Sequence, residues 1–411
     1  MKKILLCSIL LIGASAFAQR KCATMEKLEQ KMQNNPAFKA HHNEVMQRIQ
    51  SPTTTLNRMN GTQSQGVVTI PVVFHILYKT ANQNISEAQI NSQLASLNQD
   101  FRKLNADFST VVPAAFQPFG ADMEVVFVMA TRTPAGLPTN GITRKSVSST
   151  FTFEDDYYKN SGEPIWDPSS YLNIWVGRFT DDELLGFAYL PSSAGDIDDG
   201  LCIGDQFLGS TGTATAPFNR GRTATHEIGH YFGLLHPWGN DNSSCGTNGN
   251  SDGVADTPAT NGPYDGCPSF PNNLYTCSSS ANGAMFMNYM DYVNDRCMAF
   301  FTTGQKEIVR NTLAEERLSL LSSTGALSVK ELEAVQAIAL SPNPAGDHFV
   351  LTSPLIAVDY IEIYNTTGQL VKSQKIDQNS KINIEAFETG VYYLRIYDQG
   401  KFLKSDKLIK R

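Results

Sequence analysis

The sequence predicts an α+β domain followed by a small all-β sandwich, and three observations lead to this prediction. Residues 68–78 (VTIPVVFHILY) are almost continuously apolar, which is typical of a strand in the middle of a sheet. Helical patterns of apolar residues alternate with further strand-like segments in the same region. After about residue 338 the pattern changes to short alternating strands separated by turns.

The elements of the larger domain follow in order. Ser86 and Gln89 form a capping box for a helix that continues to about Lys103. The short run 186–191 suits an edge strand, to which an extended peptide can add. The other predicted elements are strands at 123–131 and 171–179 and helices at 220–235 and 302–322. In the sandwich, strands are predicted at 348–352, 359–364, 369–374, 381–384, 390–397 and 401–409.

The first eighteen residues have the pattern of a secretory signal peptide. Lys2 and Lys3 precede an apolar stretch, and residues 16–18 (AFA) form a small-x-small site, so we expect cleavage before Gln19. That apolar run is too short to span a bilayer, and no transmembrane segment is expected elsewhere. The predicted division is a signal peptide at 1–18, a polar pro-segment at 19–65, the main domain at 66–322, a linker at 323–337 and the sandwich at 338–411.

Composition limits the class of protein. A hydrophobic fraction of 41% with 18% charged residues indicates a globular protein with a sizeable core. The net charge of −7, without a basic run interleaved with aromatic residues, argues against nucleic-acid binding.

The run 226–236 (HEIGHYFGLLH) carries the chemistry. On a helix, His226 and His230 lie one turn apart on the same face, so both imidazoles can reach one ion. Gly233 can adopt a positive φ, which ends the helix and brings His236 back as a third ligand. Three neutral imidazoles with an open fourth position predict a catalytic zinc site. Glu227 is close enough to a water at that position to act as general base and later as general acid.

Alternatives to this interpretation remain. The chain has only seven histidines and three of them fall in this run, which favours metal binding over a helix end with buried, hydrogen-bonded rings. A non-catalytic metal scaffold for binding or adhesion is possible, although a structural site has no use for a general base. An amidase or a deacetylase built on the same motif is a third alternative.

The extended motif resembles that of the metzincin zinc endopeptidases. Together with the turn 288–292 (NYMDY) and the cysteines nearby, it resembles the pappalysin family in particular, over about residues 67–321. The resemblance implies a metzincin-like catalytic domain with a mixed twisted sheet, a backing helix, an active-site helix and an irregular C-terminal subdomain. It also implies a secreted endopeptidase that hydrolyses protein or peptide substrates with a zinc-activated water.

The same resemblance assigns roles within the turn. Met290 corresponds to the methionine beneath the metal, and Tyr292 to the tyrosine that would share the oxyanion charge. Ordinary core packing is the alternative for both residues. Met285 and Met287 are nearby, but only Met290 has a tyrosine two residues later with an aspartate between.

Four cysteines follow the zinc motif in a loop-rich stretch, where two disulfides are expected to hold an irregular chain. The sequence alone allows three pairings, and a second zinc site is the alternative, although no C-x-x-C pair occurs. The family resemblance implies the pairs Cys245–Cys277 and Cys267–Cys297.

Cys22 lies just after the signal peptide. Related proenzymes are kept latent by a propeptide cysteine whose thiolate occupies the fourth zinc position, and the resemblance implies this role for Cys22. Ala23 follows it where such latency motifs often have glycine. A disulfide with Cys202, or a bystander thiol, is the alternative.

Asp252, Asp256 and Thr257 lie in a turn rich in oxygen-bearing side chains. Related proteases bind calcium in this region, so these residues are candidate calcium ligands. An ordinary Asx-rich turn is the alternative.

The sandwich resembles the C-terminal sorting domain of the type-nine secretion system. The resemblance is carried by 340–344 (LSPNP), the turn 364–369, 390–393 (GVYY) and the Lys-rich last strand. It implies an outer-membrane secretion machinery as partner and an extracellular or cell-surface location. A carbohydrate-binding or adhesive sandwich is the alternative.

Overall fold

The computed structural model describes residues 20–51, 67–159, 161–239, 245, 252–327, 329–377 and 380–411. The predicted signal peptide (1–18) and the expected cleavage before Gln19 lie outside the described residues. The stretch 52–66, in which the predicted pro-segment ends, also lies outside them.

The larger domain is built on a mixed, mainly parallel sheet. Its strands among the described residues are β1 (Lys21–Cys22), β2 (Val68–Tyr78), β3 (Val125–Met129), β4 (Ile142–Ser146), β5 (Leu172–Gly177), β6 (Leu184–Ala188) and β7 (Leu201–Gly204). The strands β3, β4 and β5 all pair in parallel with the apolar strand β2. Beyond β5 lies β7, and β6 runs antiparallel to β7. The N-terminal strand β1 adds in parallel to the outer side of β6.

The helices described are α1 (Thr24–Asn34), α2 (Pro36–Gln50), α3 (Glu87–Phe101), α4 (Phe108–Val111), α5 (Phe153–Asp156), α6 (Arg222–Tyr231), α7 (Thr303–Ala314) and α8 (Val329–Gln336). Short 3₁₀ turns occur at Ala81–Gln83, Gln117–Phe119, Pro191–Ser193, Asp295–Cys297 and Leu318–Ser322. Helix α3 is the backing helix, and it begins where the sequence predicted because the Ser86 hydroxyl accepts the Gln89 N–H. Ile90, Leu97 and Phe101 are its fully buried residues in the core against the sheet.

Several elements differ from the prediction. The helix predicted over 302–322 ends at Ala314 and continues as a separate 3₁₀ turn, because the chain changes direction at Glu315. Helix α8 occupies much of the predicted linker at 323–337. Strands β4 and β7 were not predicted, because β4 (ITRKS) is mostly polar and β7 (LCIG) is a short run without alternation of apolar and polar residues.

The part of the predicted pro-segment that the structure describes is helical and packed. Its sequence is polar with few apolar residues, yet α1 and α2 place those few on one side. Leu28, Val45 and Ile49 are buried in the same apolar core as the main sheet. The Asn311 side chain donates to the Ile49 carbonyl at 2.8 Å, which ties α2 to α7. This segment therefore belongs to the folded body in the described form of the chain.

The C-terminal part is a sandwich of two antiparallel sheets. One contains β10 (Tyr360–Tyr364), β11 (Leu370–Lys375), β13 (Gly390–Asp398) and β14 (Lys401–Lys410), and the other contains β8 (Ala339–Ser341), β9 (His348–Thr352) and β12 (Lys381–Asn383). Its apolar core is separate from that of the larger domain, with Phe349, Ile361 and Leu394 fully buried. Among the described residues, no helix combines the length and the apolar composition needed to cross a membrane.

Candidate active site

Three histidine side chains converge at the end of the active-site helix. His226 and His230 lie on helix α6, and His236 follows the turn at Gly233, whose φ is +91°. The Nε2 atoms are separated by 3.2 Å (His226–His230), 3.0 Å (His230–His236) and 3.3 Å (His226–His236). All three residues are buried. The spacing of the sequence motif is thus translated into a small triangle of ring nitrogens.

The tautomers of His226 and His230 place nitrogen lone pairs inside this triangle. The Nδ1 of His226 contacts the Tyr289 carbonyl oxygen at 2.7 Å, and the Nδ1 of His230 contacts the Leu234 carbonyl oxygen at 2.7 Å. A carbonyl only accepts, so both Nδ1 atoms carry the proton and both Nε2 atoms present lone pairs to each other. Lone pairs held so close repel unless a cation lies between them.

A tetrahedral cation fits this arrangement. Zinc bound at about 2.0–2.1 Å from each nitrogen would hold ligand atoms about 3.3–3.4 Å apart, close to the separations found. Burial lowers the pKa of His230 to about 4 and lowers those of His226 and His236 well below their ordinary value. The rings are therefore neutral, which is the form that ligates a metal.

Met290 and Tyr292 lie on two sides of the triangle. A Cβ added to Gly229 would come within 2.4 Å of the Met290 sulfur, so this methionine packs directly against the active-site helix. The Tyr292 ring centroid is 5.0 Å from that of His236. Trp238 stacks on His236 with ring centroids 4.6 Å apart and an interplanar angle of 8°. The aromatic rings restrict the motion of the third histidine.

The Glu227 carboxylate lies next to the histidine triangle and already contacts two residues of the pro-segment. Its Oε2 accepts from the Thr24 hydroxyl at 3.1 Å and lies 3.3 Å from the Cys22 sulfur. Burial raises the pKa of Glu227 to about 7. The Cys22 sulfur and the three imidazole nitrogens all lie within 4.8 Å of one another. Burial and the neighbouring Glu227 raise the pKa of Cys22, so a thiolate at this position needs a cation beside it.

A buried ion pair that the sequence analysis missed joins the pro-segment to the segment after Tyr292. The Arg20 guanidinium donates to Asp295 Oδ1 at 2.6 Å, with both side chains almost fully buried, and lies 5.1 Å from the Phe218 ring centroid. The other carboxylate oxygen of Asp295 accepts the backbone N–H groups of Arg220 and Arg222 at 2.7 and 3.3 Å. Asp295 thus joins the start of the active-site helix to the segment after Tyr292. An aspartate five residues after Met290 gives no local signal of this role.

Comparison with known proteins places this geometry in a family. The peptidase family M43, described as Pregnancy-associated plasma protein-A, matches residues 155–314. An extracellular metalloprotease of Colletotrichum graminicola is 30% identical over 313 residues, covering 74% of this chain and 94% of the relative. One from Verticillium alfalfae is 30% identical over 251 residues, covering 59% and 74%. The chain belongs to the pappalysin family of metalloproteases.

Solved structures agree with this assignment. Mature mirolysin of Tannerella forsythia in complex with a cleaved peptide is 43% identical, with a TM-score of 0.58, covering 62% of this chain and 96% of that one. A promirolysin mutant from the same organism is 38% identical, with a TM-score of 0.63, covering 73% and 95%. The predicted metzincin-like fold class is confirmed, and this pappalysin is a metalloendopeptidase made as a zymogen. The alternative of a non-catalytic binding protein is therefore wrong.

The C-terminal sandwich matches a secretion system C-terminal sorting domain over residues 339–411. With the extracellular relatives, this match confirms that the pappalysin is secreted. The sorting domain implies a secretion machinery as partner.

The cysteines separate into two groups. Disulfides join Cys245 to Cys277 and Cys267 to Cys297, the pairs implied by the family resemblance. Cys22 and Cys202 are both free and buried, so the structure contains no bond between them.

The calcium candidates make contacts of their own. Asp252 is buried and accepts the Val254 N–H at 3.0 Å and the Thr257 hydroxyl. Asp256 accepts from the Thr302 hydroxyl at 2.6 Å and from the Gly304 N–H at 2.9 Å, at the start of α7. Protein donors therefore engage both carboxylates, and calcium binding in this turn stays a prediction.

Proposed function

We propose that this pappalysin is a zinc-dependent endopeptidase in which Glu227 is the general base and acid. The observation that carries the proposal is the triangle of neutral imidazole nitrogens with a buried carboxylate beside it. His226, His230 and His236 would hold the zinc. When bound there, zinc would lower the pKa of a water to about 7 and polarise a carbonyl group.

Each of the remaining side chains has a separate role in peptide hydrolysis. Glu227 takes the proton of the attacking water and passes it to the leaving amine, which requires a carboxylate within hydrogen-bond reach of both. Tyr292, whose ring lies 5.0 Å from His236, donates its hydroxyl to the carbonyl oxygen as negative charge develops there. Met290 packs beneath the histidine helix and supports its position.

The pro-segment keeps this site closed until it is removed. We infer that Cys22 is the latency ligand, because its sulfur lies with the three imidazoles and also contacts Glu227. Thr24 adds a hydrogen bond to the same carboxylate, which occupies the oxygen that must accept a proton. Removal of residues 19–65 by a cut within 52–66 would free both the fourth ligand position and Glu227.

The buried carboxylate of Asp295 supports a substrate preference, because removal of the pro-segment would leave the position of the Arg20 side chain as a pocket. Arg20 pairs with Asp295 two residues before Cys22, whose sulfur lies with the three imidazoles. Released from Arg20, the buried carboxylate would need another cation, because an unpaired buried charge is costly. We infer that the enzyme cleaves next to basic residues, with the arginine or lysine of the substrate in this pocket. Transport to the cell exterior would use an outer-membrane type-nine secretion machinery, which takes up the C-terminal sandwich.

The Glu227 assignment is tested with Glu227→Gln, which keeps the size of the side chain and removes its basicity. We expect peptide hydrolysis to fall by about 10²–10⁴-fold while elemental analysis finds one zinc per chain. The exposed Glu183→Gln is the matched control and should retain activity. A chelator should abolish casein hydrolysis by the wild type, and added zinc should restore it. Full activity of zinc-loaded Glu227→Gln would rule out this role.

A further inference from the structure

Two pro-segment lysines contact aromatic residues in and just after strand β6. Lys27 and Lys31 are one turn apart on helix α1 and therefore point to the same side. Lys27 lies 5.1 Å from the Phe187 ring centroid, and Lys31 lies 4.4 Å from that of Tyr189. The Lys31 ammonium also donates to Asp198 Oδ1 at 2.9 Å. Lys31 also donates to the exposed Asp196 Oδ2 at 3.2 Å, and Lys27 lies 3.8 Å from Asp155 Oδ1. Each lysine thus meets an aromatic face and at least one carboxylate, and Asp198 is the buried one.

The residues that contact Lys31, Asp198 and Tyr189, are held in place by the larger domain itself. Asp198 is 7% exposed and Tyr189 is 9% exposed. The adjacent Asp199 forms a two-armed ion pair with Arg317, both distances being 2.9 Å, and both side chains are almost fully buried. Arg317 also donates to the Tyr231 carbonyl at the end of the active-site helix. The position of Asp198 therefore does not depend on contacts within the pro-segment.

We propose that Asp198 and Tyr189 form a second subsite, which takes a lysine or arginine side chain of the substrate. Asp295 lies at the start of α6, whereas Asp199, the neighbour of Asp198, is linked through Arg317 to Tyr231 at the end of α6. The pro-segment indicates this order, because Arg20 enters one pocket, Cys22 reaches the histidines and Lys31 reaches Asp198. The inference rests on the proposed peptidase function and adds a specificity-determining position to it.

The spacing of the substrate residue follows from chain geometry. From Cys22 the pro-segment passes along β6 and then rises as a helix to Lys31, at about 1.5 Å per residue. An extended substrate advances about 3.3 Å per residue. An extended substrate would cover the distance from Cys22 to Lys31 in roughly three to five residues. We therefore expect the enzyme to favour substrates with two basic residues, one on each side of the cleaved bond.

The test uses the zinc-loaded mature enzyme obtained from the full-length chain. Peptides carry arginine next to the scissile bond, on the side that fits the Asp295 pocket. On the other side, a single lysine or glutamine is moved through positions two to six. We expect one position at which kcat/KM for the lysine peptide exceeds that for the glutamine peptide by about tenfold. Asp198→Asn should bring this ratio close to one.

Two further variants sharpen the result. Asp182→Asn removes an exposed negative charge near the other end of β6 and should leave the ratio unchanged. Asp198→Lys should reverse the preference, so that glutamate is favoured at the same position. Thermal melting of each variant checks that the fold is retained.

Several outcomes overturn the inference. If no position shows a lysine preference, or if the preference survives Asp198→Asn, Asp198 serves only to hold the pro-segment. A preference lost equally in Asp182→Asn would reflect general charge attraction and would likewise exclude a subsite. If the wild type cleaves none of the peptides, the proposed function itself fails, which is distinct from cleavage without selectivity.

Discussion

The Arg20 guanidinium and the Asp295 carboxylate form a buried ion pair, with Nη2 and Oδ1 separated by 2.6 Å. The two residues are 275 positions apart in the sequence, and one belongs to the segment predicted to be removed. Asp295 is held in place without Arg20, because its second carboxylate oxygen accepts two backbone N–H groups at the start of α6. In the proposed mechanism, this ion pair links latency to substrate choice.

Asp295→Asn tests the pocket, because the amide oxygen can still accept the backbone N–H groups while the charge is lost. We expect kcat/KM for a peptide cleaved next to arginine to fall roughly tenfold to a hundredfold, relative to one cleaved next to leucine. Asp181→Asn, which removes the half-exposed partner of Lys21, is the control. An unchanged arginine-to-leucine ratio would show that Asp295 does not select substrates.

Cys22→Ala should release latency, because no thiolate would then occupy the fourth ligand position. The measurement is the initial rate of peptide cleavage by the unprocessed chain, with intact mass recorded at time zero. Cys202→Ala is the matched control, since Cys202 is also free and buried and should leave the chain latent. Retention of full latency by Cys22→Ala would exclude the switch.

Tyr292→Phe removes the hydroxyl proposed to stabilise the developing oxyanion. Because that interaction is strongest in the transition state, kcat should fall about tenfold to a hundredfold with little change in KM. The loss should be smaller than for Glu227→Gln. Tyr78→Phe, on strand β2, is a control at a distance from the site. A rise in KM with unchanged kcat would indicate that Tyr292 binds the ground state and the transition state equally and does not stabilise the oxyanion selectively.

Acid should weaken the docking of the pro-segment through His42. This residue lies on α2 with Nδ1 3.0 Å from the Ser192 hydroxyl, and burial lowers its pKa from 6.5 to about 4. Between these values the released segment binds more protons than the docked one, so docking weakens as the pH falls from about 6.5 to about 4.

The effect is measured as retention of the pro-segment by a chain nicked within 52–66, using size-exclusion chromatography at pH 7 and pH 5. Retention should fall at pH 5 in the wild type and fall less in His42→Gln. The exposed neighbour His41 provides the control, and His41→Gln should keep most of the pH dependence, because burial is the larger cause of the lowered pKa of His42 and the charge of His41 the smaller one. Equal pH dependence in wild type and His42→Gln would assign the acid response to other groups.

The sequence by itself determined the candidate metal ligands, the central strand β2, the helices α3 and α6, and the change to alternating strands after about residue 338. The spacing of His226, His230 and Gly233 is sufficient, because helical periodicity and a positive φ at glycine fix the approach of His236. The apolar run of β2 and the alternating strands of the sandwich are likewise local patterns.

Only the tertiary structure decided what surrounds the ligands. The sequence does not distinguish Asp295 from the other aspartates, and only the structure shows that it pairs with Arg20. In the same way, only the structure shows that Asp198 contacts Lys31. The polar pro-segment likewise gave little sign that Leu28, Val45 and Ile49 enter the main core. Contacts between residues far apart in the chain depend on packing and burial, which leave no periodic trace in the sequence.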